Sequence, residues 1–226
     1  MKKVVSGIAA LGLVLTLGAC GNDDNGATVE RPTPDTVTHA TSSGGATAEE
    51  MRVALGAEGD ERAWVFGLRD DITYDGELRI EGYALKHSGG EWLEDVYERK
   101  VGLYQRAEVA GQARVPVGTF TLTVTDGIYV DSPNTFFISD GPFVAEVNAD
   151  VFVNTPGFRL NGVQINGNVT FASQELLDSA VAFAWDSDQA DIREGEDDEF
   201  VLYASNSGWS EVPFDSLVTG TVTVQH

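Results

Sequence analysis

The densest collection of potential ligands in this chain is Asp186-Ser187-Asp188-Gln189-Ala190-Asp191-Ile192-Arg193-Glu194-Gly195-Glu196-Asp197-Asp198-Glu199, with eight carboxylates in fourteen residues. Hard oxygen ligands at this density are what calcium needs, and Asp186, Asp188 and Asp191 are the first candidates to hold it. The spacing departs from the helix–loop–helix calcium template, because Ala190 and Asp191 stand where an Asp or Asn and a Gly are expected. A solvated acidic loop is the competing reading. No other cofactor is implied.

Aromatic side chains are the second group. Trp92 follows Gly89-Gly90-Glu91 and Trp209 follows Asn206-Ser207-Gly208, which predicts two indoles at loop tips. Flat apolar faces exposed there would serve carbohydrate binding, whereas Trp185, in line with Val181 and Phe183, reads as core. Tyr83, Tyr97, Tyr104, Tyr129 and Tyr203 could add to either role.

Nucleophilic catalysis finds no support. There is no G-x-S-x-G motif, and the histidines are His39, His87 and His226, none placed to serve an evident triad. No phosphate-binding glycine motif joins a strand to a helix, and no histidine pair has metal-ligand spacing. No catalytic residue is therefore assigned, and the chain is expected not to be an enzyme. With 14 Lys plus Arg against 36 Asp plus Glu, and a net charge of −22, it would repel phosphate backbones; nucleic acid is excluded as a partner.

Cys20 is the only cysteine. Ahead of it stand Lys2 and Lys3, an apolar stretch from Val4 to Leu17, and small residues, which is the layout of a secretory signal. The apolar stretch is too short for the roughly 20 residues that a spanning helix needs. Leu17-Gly18-Ala19-Cys20 resembles the lipobox of bacterial lipoprotein precursors. That resemblance implies a signal peptide over residues 1–19, acyl chains such as palmitate on Cys20, and attachment to the bacterial cell envelope; two or more chains would anchor it firmly. Gly21 after the cysteine would favour the outer membrane in a diderm organism.

Residues 20–46 then read as a lipidated cysteine and flexible stalk. Arg31-Pro32-Thr33-Pro34 and Thr41-Ser42-Ser43-Gly44-Gly45 offer almost nothing to a core. Thr47-Ala48-Glu49-Glu50 has capping-box spacing, and Met51, Ala54 and Leu55 recur at helical intervals, predicting one short helix.

From Ala63 on, apolar or alternating runs follow one another, separated by turn residues. Asp75-Gly76 and Ser88-Gly89-Gly90 are hairpin signals, and Thr119 to Thr125 alternates Phe120, Leu122 and Val124 against four threonines. The fold class expected is all-β, an antiparallel β-sandwich over residues 47–226, with a barrel or a division into two modules near residue 130 as alternatives. Ile165-Asn166-Gly167-Asn168-Val169-Thr170-Phe171 echoes Val218-Thr219-Gly220-Thr221-Val222-Thr223-Val224, but two matches and the half-match at Gly118-Thr119-Phe120 keep no fixed period, which argues against a solenoid. The string from Gly111 to Val124 resembles the closing hairpin of carboxypeptidase-regulatory-like β-sandwiches, which implies a non-catalytic accessory module.

These readings lead to an envelope accessory protein that presents a β-sandwich to a protein partner, with a carbohydrate-binding module, taking polysaccharide as its partner, and a barrel carrier of an apolar ligand as alternatives.

Overall fold

The computed structural model describes residues 37–38, 42–56, 63–89, 91–107, 115–189, 192–194, 200–202 and 208–225. Cys20, Asp191, the residues before Val37, most of the acidic run after Gln189, and Gly111–Arg114 of the hairpin-like string lie outside them.

Strands β1 (Val37–Thr38) and β2 (Ser42–Gly45) precede helix α1 (Ala48–Leu55). A first coil follows, made of β3 (Val65–Leu68), β4 (Ile72–Tyr74) and β5 (Leu78–Glu81). The hairpin β6 (Tyr83–Ser88) and β7 (Glu91–Tyr97) leads to β8 (Arg99–Gly102), and a second antiparallel pair, β9 (Tyr104–Ala107) and β10 (Val115–Thr119), leads to β11 (Leu122–Val124) and β12 (Ile128–Asp131). Two compact coils come next: β13 (Thr135–Ile138), β14 (Ala145–Asn148) and β15 (Val151–Val153), then β16 (Arg159–Asn161), β17 (Val163–Ile165) and β18 (Val169–Phe171). Helix α2 (Gln174–Asp178) and β19 (Val181–Trp185) follow, then the pair β20 (Ile192–Glu194) and β21 (Phe200–Leu202), β22 (Trp209–Val212) and β23 (Val222–Val224).

The class is all-β, as expected, but the three main sheets are built from parallel strands instead of antiparallel ones. The first sheet runs β2-β3-β8-β13-β16-β19-β22, the second β4-β11-β14-β17 and the third β5-β12-β15-β18-β23; only the β19–β22 pairing is antiparallel. Each of the first four coils gives one strand to each sheet, and the last adds β19, an isolated bridge at Val218 and β23, which makes the described region a three-faced parallel β-solenoid. The inward rows are continuous: Phe66-Val101-Phe137-Leu160-Ala182 on the first sheet, Ile72-Leu122-Val147-Ile165 on the second and Leu78-Ile128-Val151-Val169-Val222 on the third. All but the outermost Val222 are buried.

Alternation, which did mark the strands, is identical in parallel and antiparallel sheets; what separates them is whether the chain turns back or turns a corner. Gly76 (φ 105°) illustrates this, since it sits at the corner between β4 and β5 and not in a hairpin. Ser88-Gly89 does turn a hairpin, between β6 and β7. The alternating run from Thr119 is also divided by a corner: β10 ends at Thr119, and Leu122 and Val124 enter the second sheet. Among the described residues no barrel closes, because each main sheet ends on an edge strand. The core cluster passes through residue 130 from Met51 to Val218 without a division into modules.

Two features close the N-terminal end of the core. Thr47 caps α1 with the anticipated capping box, and Met51, Ala54 and Leu55 are buried against the first coil. Fully buried Arg99 reaches up to the same helix, donating to the carbonyls of Ala54 (3.0 Å) and Glu81 (3.1 Å), so a last-turn carbonyl of α1 gains a charged donor. Ser42–Gly45, assigned to the stalk on composition, pair in register with Val65–Leu68, because backbone hydrogen bonding to an open sheet edge needs no apolar side chains.

Candidate functional site

Outward-facing side chains on the third sheet form a ladder that crosses the coils: Arg79, Tyr129, Phe152, Thr170 and Thr223 occupy successive register positions. The rings of Tyr129 and Phe152 are stacked and nearly parallel, 13° apart with centroids separated by 5.4 Å. Arg79 lies over Tyr129 at 4.1 Å, so Tyr129 is enclosed between a cation and a second ring. On the other side of Phe152 the ladder drops from an aromatic ring to the short side chains of Thr170 and Thr223, whose hydroxyls are 3.2 Å apart. That step in size leaves a notch beside Phe152, a groove of about 290 Å³ lined also by Asp150, Val151, Thr170 and Gln225.

Carboxylates flank the ladder. Glu77, Asp126 and Asp150 follow the corner on one side, and Glu81 and Asp131, partners in register, follow the other. Arg79 bridges the two sides, bonding Glu77 (2.6 Å) and Glu81 (2.8 Å), and these contacts, with Glu81 the larger influence, hold its guanidinium charged well above the usual range. Asp131 titrates above its ordinary value, first because neighbouring coils withdraw water from its carboxyl and second because Glu81 is negative. Asn154 donates to Tyr129 Oη (3.2 Å), which orients that ring. Asp150 accepts from Asn168 N at 2.7 Å, leaving lone pairs facing the groove rim.

An arrangement of apolar ring, hydroxyls, an amide and carboxylates can grip a polyol. Carboxylates and amides accept and exchange hydrogen bonds with hydroxyls, while the C–H face of a sugar ring packs on an aromatic ring. Comparison with models of known protein families, with curated proteins and with solved structures finds no match. The geometry of the chain itself is what bears on function.

The residues singled out from sequence lie elsewhere. Trp92 is half-buried on β7 and meets His87 edge-on, at 4.9 Å and 64°. Trp209, on β22, crosses Trp185 at 86° with centroids 5.6 Å apart, and its ring covers Gly162. Both of these ring contacts are edge-on and so do not make a flat platform. Asp186 is engaged internally, with Oδ1 accepting from Asp188 N (3.0 Å) and Oδ2 from Ser210 Oγ (2.9 Å), while Asp188 is exposed. Among the described residues no group of three or more His, Cys, Asp or Glu side chains could hold a metal ion, and no helix is long and apolar enough to cross a membrane.

Phe152 carried a signal that was legible in principle. Asp126-Gly127-Ile128-Tyr129-Val130 and Ala149-Asp150-Val151-Phe152-Val153 share a corner acid followed by an aliphatic–aromatic–aliphatic triplet. Only stacking of the two coils converts that echo into a ring pair.

Proposed function

We propose that this chain is a lipid-anchored protein of the bacterial cell envelope whose solenoid binds a carbohydrate polymer along its third sheet. The lipobox-like Leu17-Gly18-Ala19-Cys20 supports the anchor, with Cys20 as the acylated residue. The observation that carries the binding role is the notch where Phe152 steps down to Thr170, with Asp150 and Gln225 at its rim. A sugar ring there stacks on the face of Phe152 that Tyr129 leaves open and exchanges hydroxyl hydrogen bonds with the rim, and a chain longer than one residue extends along the groove toward Asp126 and Glu77. The flanking carboxylates favour a neutral or amino sugar and disfavour an acidic one at this groove.

This reading is preferred to presentation for a protein partner because the exposed large hydrophobic residues among those described are three valines, Val96, Val117 and Val144, which offer little apolar area for docking, whereas half-buried Phe152 lines a groove. A carrier of an apolar ligand would need an internal cavity, and the solenoid interior is filled by its own side chains.

Affinity electrophoresis of the full chain through gels containing neutral, amino and acidic polysaccharides tests the reading. Retardation by a neutral or amino polymer, reduced at least tenfold in Phe152→Ala, is expected. Retardation by none of them, or equal retardation of Phe152→Ala, overturns it. Membrane fractionation and acyl labelling of wild type against Cys20→Ala test the anchor separately, with label and membrane retention expected in the wild type alone.

A further inference from the structure

A second groove, of about 470 Å³, opens on the first sheet and has the opposite electrostatic character. Arg69, Arg106 and the ring of Tyr104 line it, in a chain where acids outnumber bases 36 to 14. The guanidinium of Arg106 lies 4.8 Å from the Tyr104 centroid and Lys100 Nζ lies 5.5 Å from it, so positive charge converges on this ring. Arg106 uses its Nε toward Asp140, which leaves the terminal nitrogens as donors. Exposed Arg69 lies close enough to Glu50 for the two charges to interact, and its guanidinium reaches the groove.

The groove exists because of what is missing from its floor. Gly44, Gly67 and Gly102 occupy successive outward register positions. Tyr104 lies on Gly102, where a Cβ would meet the ring at 2.9 Å, and Arg69 passes over Gly44, with Nε 3.4 Å from such a Cβ. Between them, a Cβ on Gly67 would meet nothing within 4 Å. The result is a slot with a bare backbone floor, an aromatic wall and two guanidinium groups. Further along this sheet the outward position at Phe136 is covered: Arg159 lies over its ring at 4.1 Å, and Phe136 is buried.

We infer that this slot binds an anionic sugar, the ring seated over Gly67 against Tyr104 and the anionic group held between Arg69 and Arg106. Guanidinium forks match carboxylate and phosphate oxygens alike, so the shared chemistry is a sugar ring bearing either group. A bare anion lacks the part that packs on Tyr104, and a neutral sugar lacks the part that the arginines hold. The slot is separate from the Phe152 notch and selects the opposite charge, which would let one protein contact two kinds of envelope carbohydrate.

Calorimetric titration of the full chain with glucuronate, glucose 6-phosphate, glucose and inorganic phosphate decides the matter. Glucuronate or glucose 6-phosphate should bind at least tenfold tighter than glucose and inorganic phosphate, and the tighter of the two tells which anion the slot is built for. Gly67→Val fills the slot at a strand position with room for a side chain, and should weaken binding at least tenfold while the melting temperature holds or rises. Arg69→Gln, at an exposed residue, should weaken it comparably and flatten its dependence on salt. Phe152→Ala should bind these ligands as the wild type does, which separates this site from the polymer groove. Equal affinity for glucose and the anionic sugars, no binding of either anionic sugar, or unchanged binding in Gly67→Val overturns the inference.

Discussion

Tyr129 and Phe152 are 23 positions apart in sequence, 129 to 152, yet they are direct register partners whose rings lie 13° from parallel with centroids 5.4 Å apart. Stacked rings contribute about 0.5–1.5 kcal/mol beyond the area that they bury. A double-mutant cycle on Tyr129→Ala and Phe152→Ala, read by urea unfolding, should give a coupling energy in that range. Additive effects would mean that the rings do not stack.

Phe158 is fully buried at the centre of an aromatic cluster, 5.9 Å from Phe137, 6.5 Å from Phe171 and 6.1 Å from Phe214 by ring centroids. It ties β13, β18 and the segment after β22 into one core. Phe158→Ala removes partners from three rings at once and should destabilise the fold by about 3–5 kcal/mol. A loss below about 1 kcal/mol in chemical denaturation would contradict this packing.

Two glycines should respond in opposite ways to the same change. At Gly167, in the corner before β18, a Cβ would stand 2.1 Å from the Ala149 carbonyl oxygen, so adjacent coils approach too closely for any side chain. Gly167→Ala should cost about 1–3 kcal/mol through forced separation of the coils. At Gly67 the space is open, and Gly67→Ala should be neutral or stabilise by up to about 1 kcal/mol by restricting the unfolded chain. Thermal melts of the two variants side by side check the contrast.

The raised pKa of Asp131 sets a pH dependence whose sign can be stated. Between its ordinary value of 3.8 and its raised value, the folded protein holds more protons at this site than the unfolded chain. Stability therefore falls as pH rises through that window, and the penalty persists at neutral pH. Asp131→Asn removes the charge facing Glu81, so it should raise the melting temperature at pH 7 and leave it nearly unchanged at pH 3. An equal shift at both pH values would show that charge is not the cause.

The strands and the helix were legible from local chemistry. Alternation exposes a strand whatever its neighbours, and Thr47 with Glu50 marks a helix start within four residues. The coil period was hidden by insertions. Where nothing intervenes, the second sheet returns after 18 residues, from Val147 to Ile165, whereas Ile72 to Leu122 takes 50 and Ile165 to Val218 takes 53. In the first of these long intervals the β6–β7 hairpin and the β9–β10 pair intervene, and in the second the segment that carries β20, β21 and β22. A repeat search based on fixed spacing fails because the solenoid conserves register and not coil length.

Composition and pattern by themselves determined an acidic chain with a lipobox-like string at Leu17-Gly18-Ala19-Cys20, one capped helix and many short strands. Tertiary structure alone decided that those strands run parallel, that Ser42–Gly45 complete a sheet edge, and which side chains share a surface. The reason is that parallel stacking brings together residues one coil apart, so the Phe152 notch and the Gly67 slot each combine short segments from coils that are far apart along the chain.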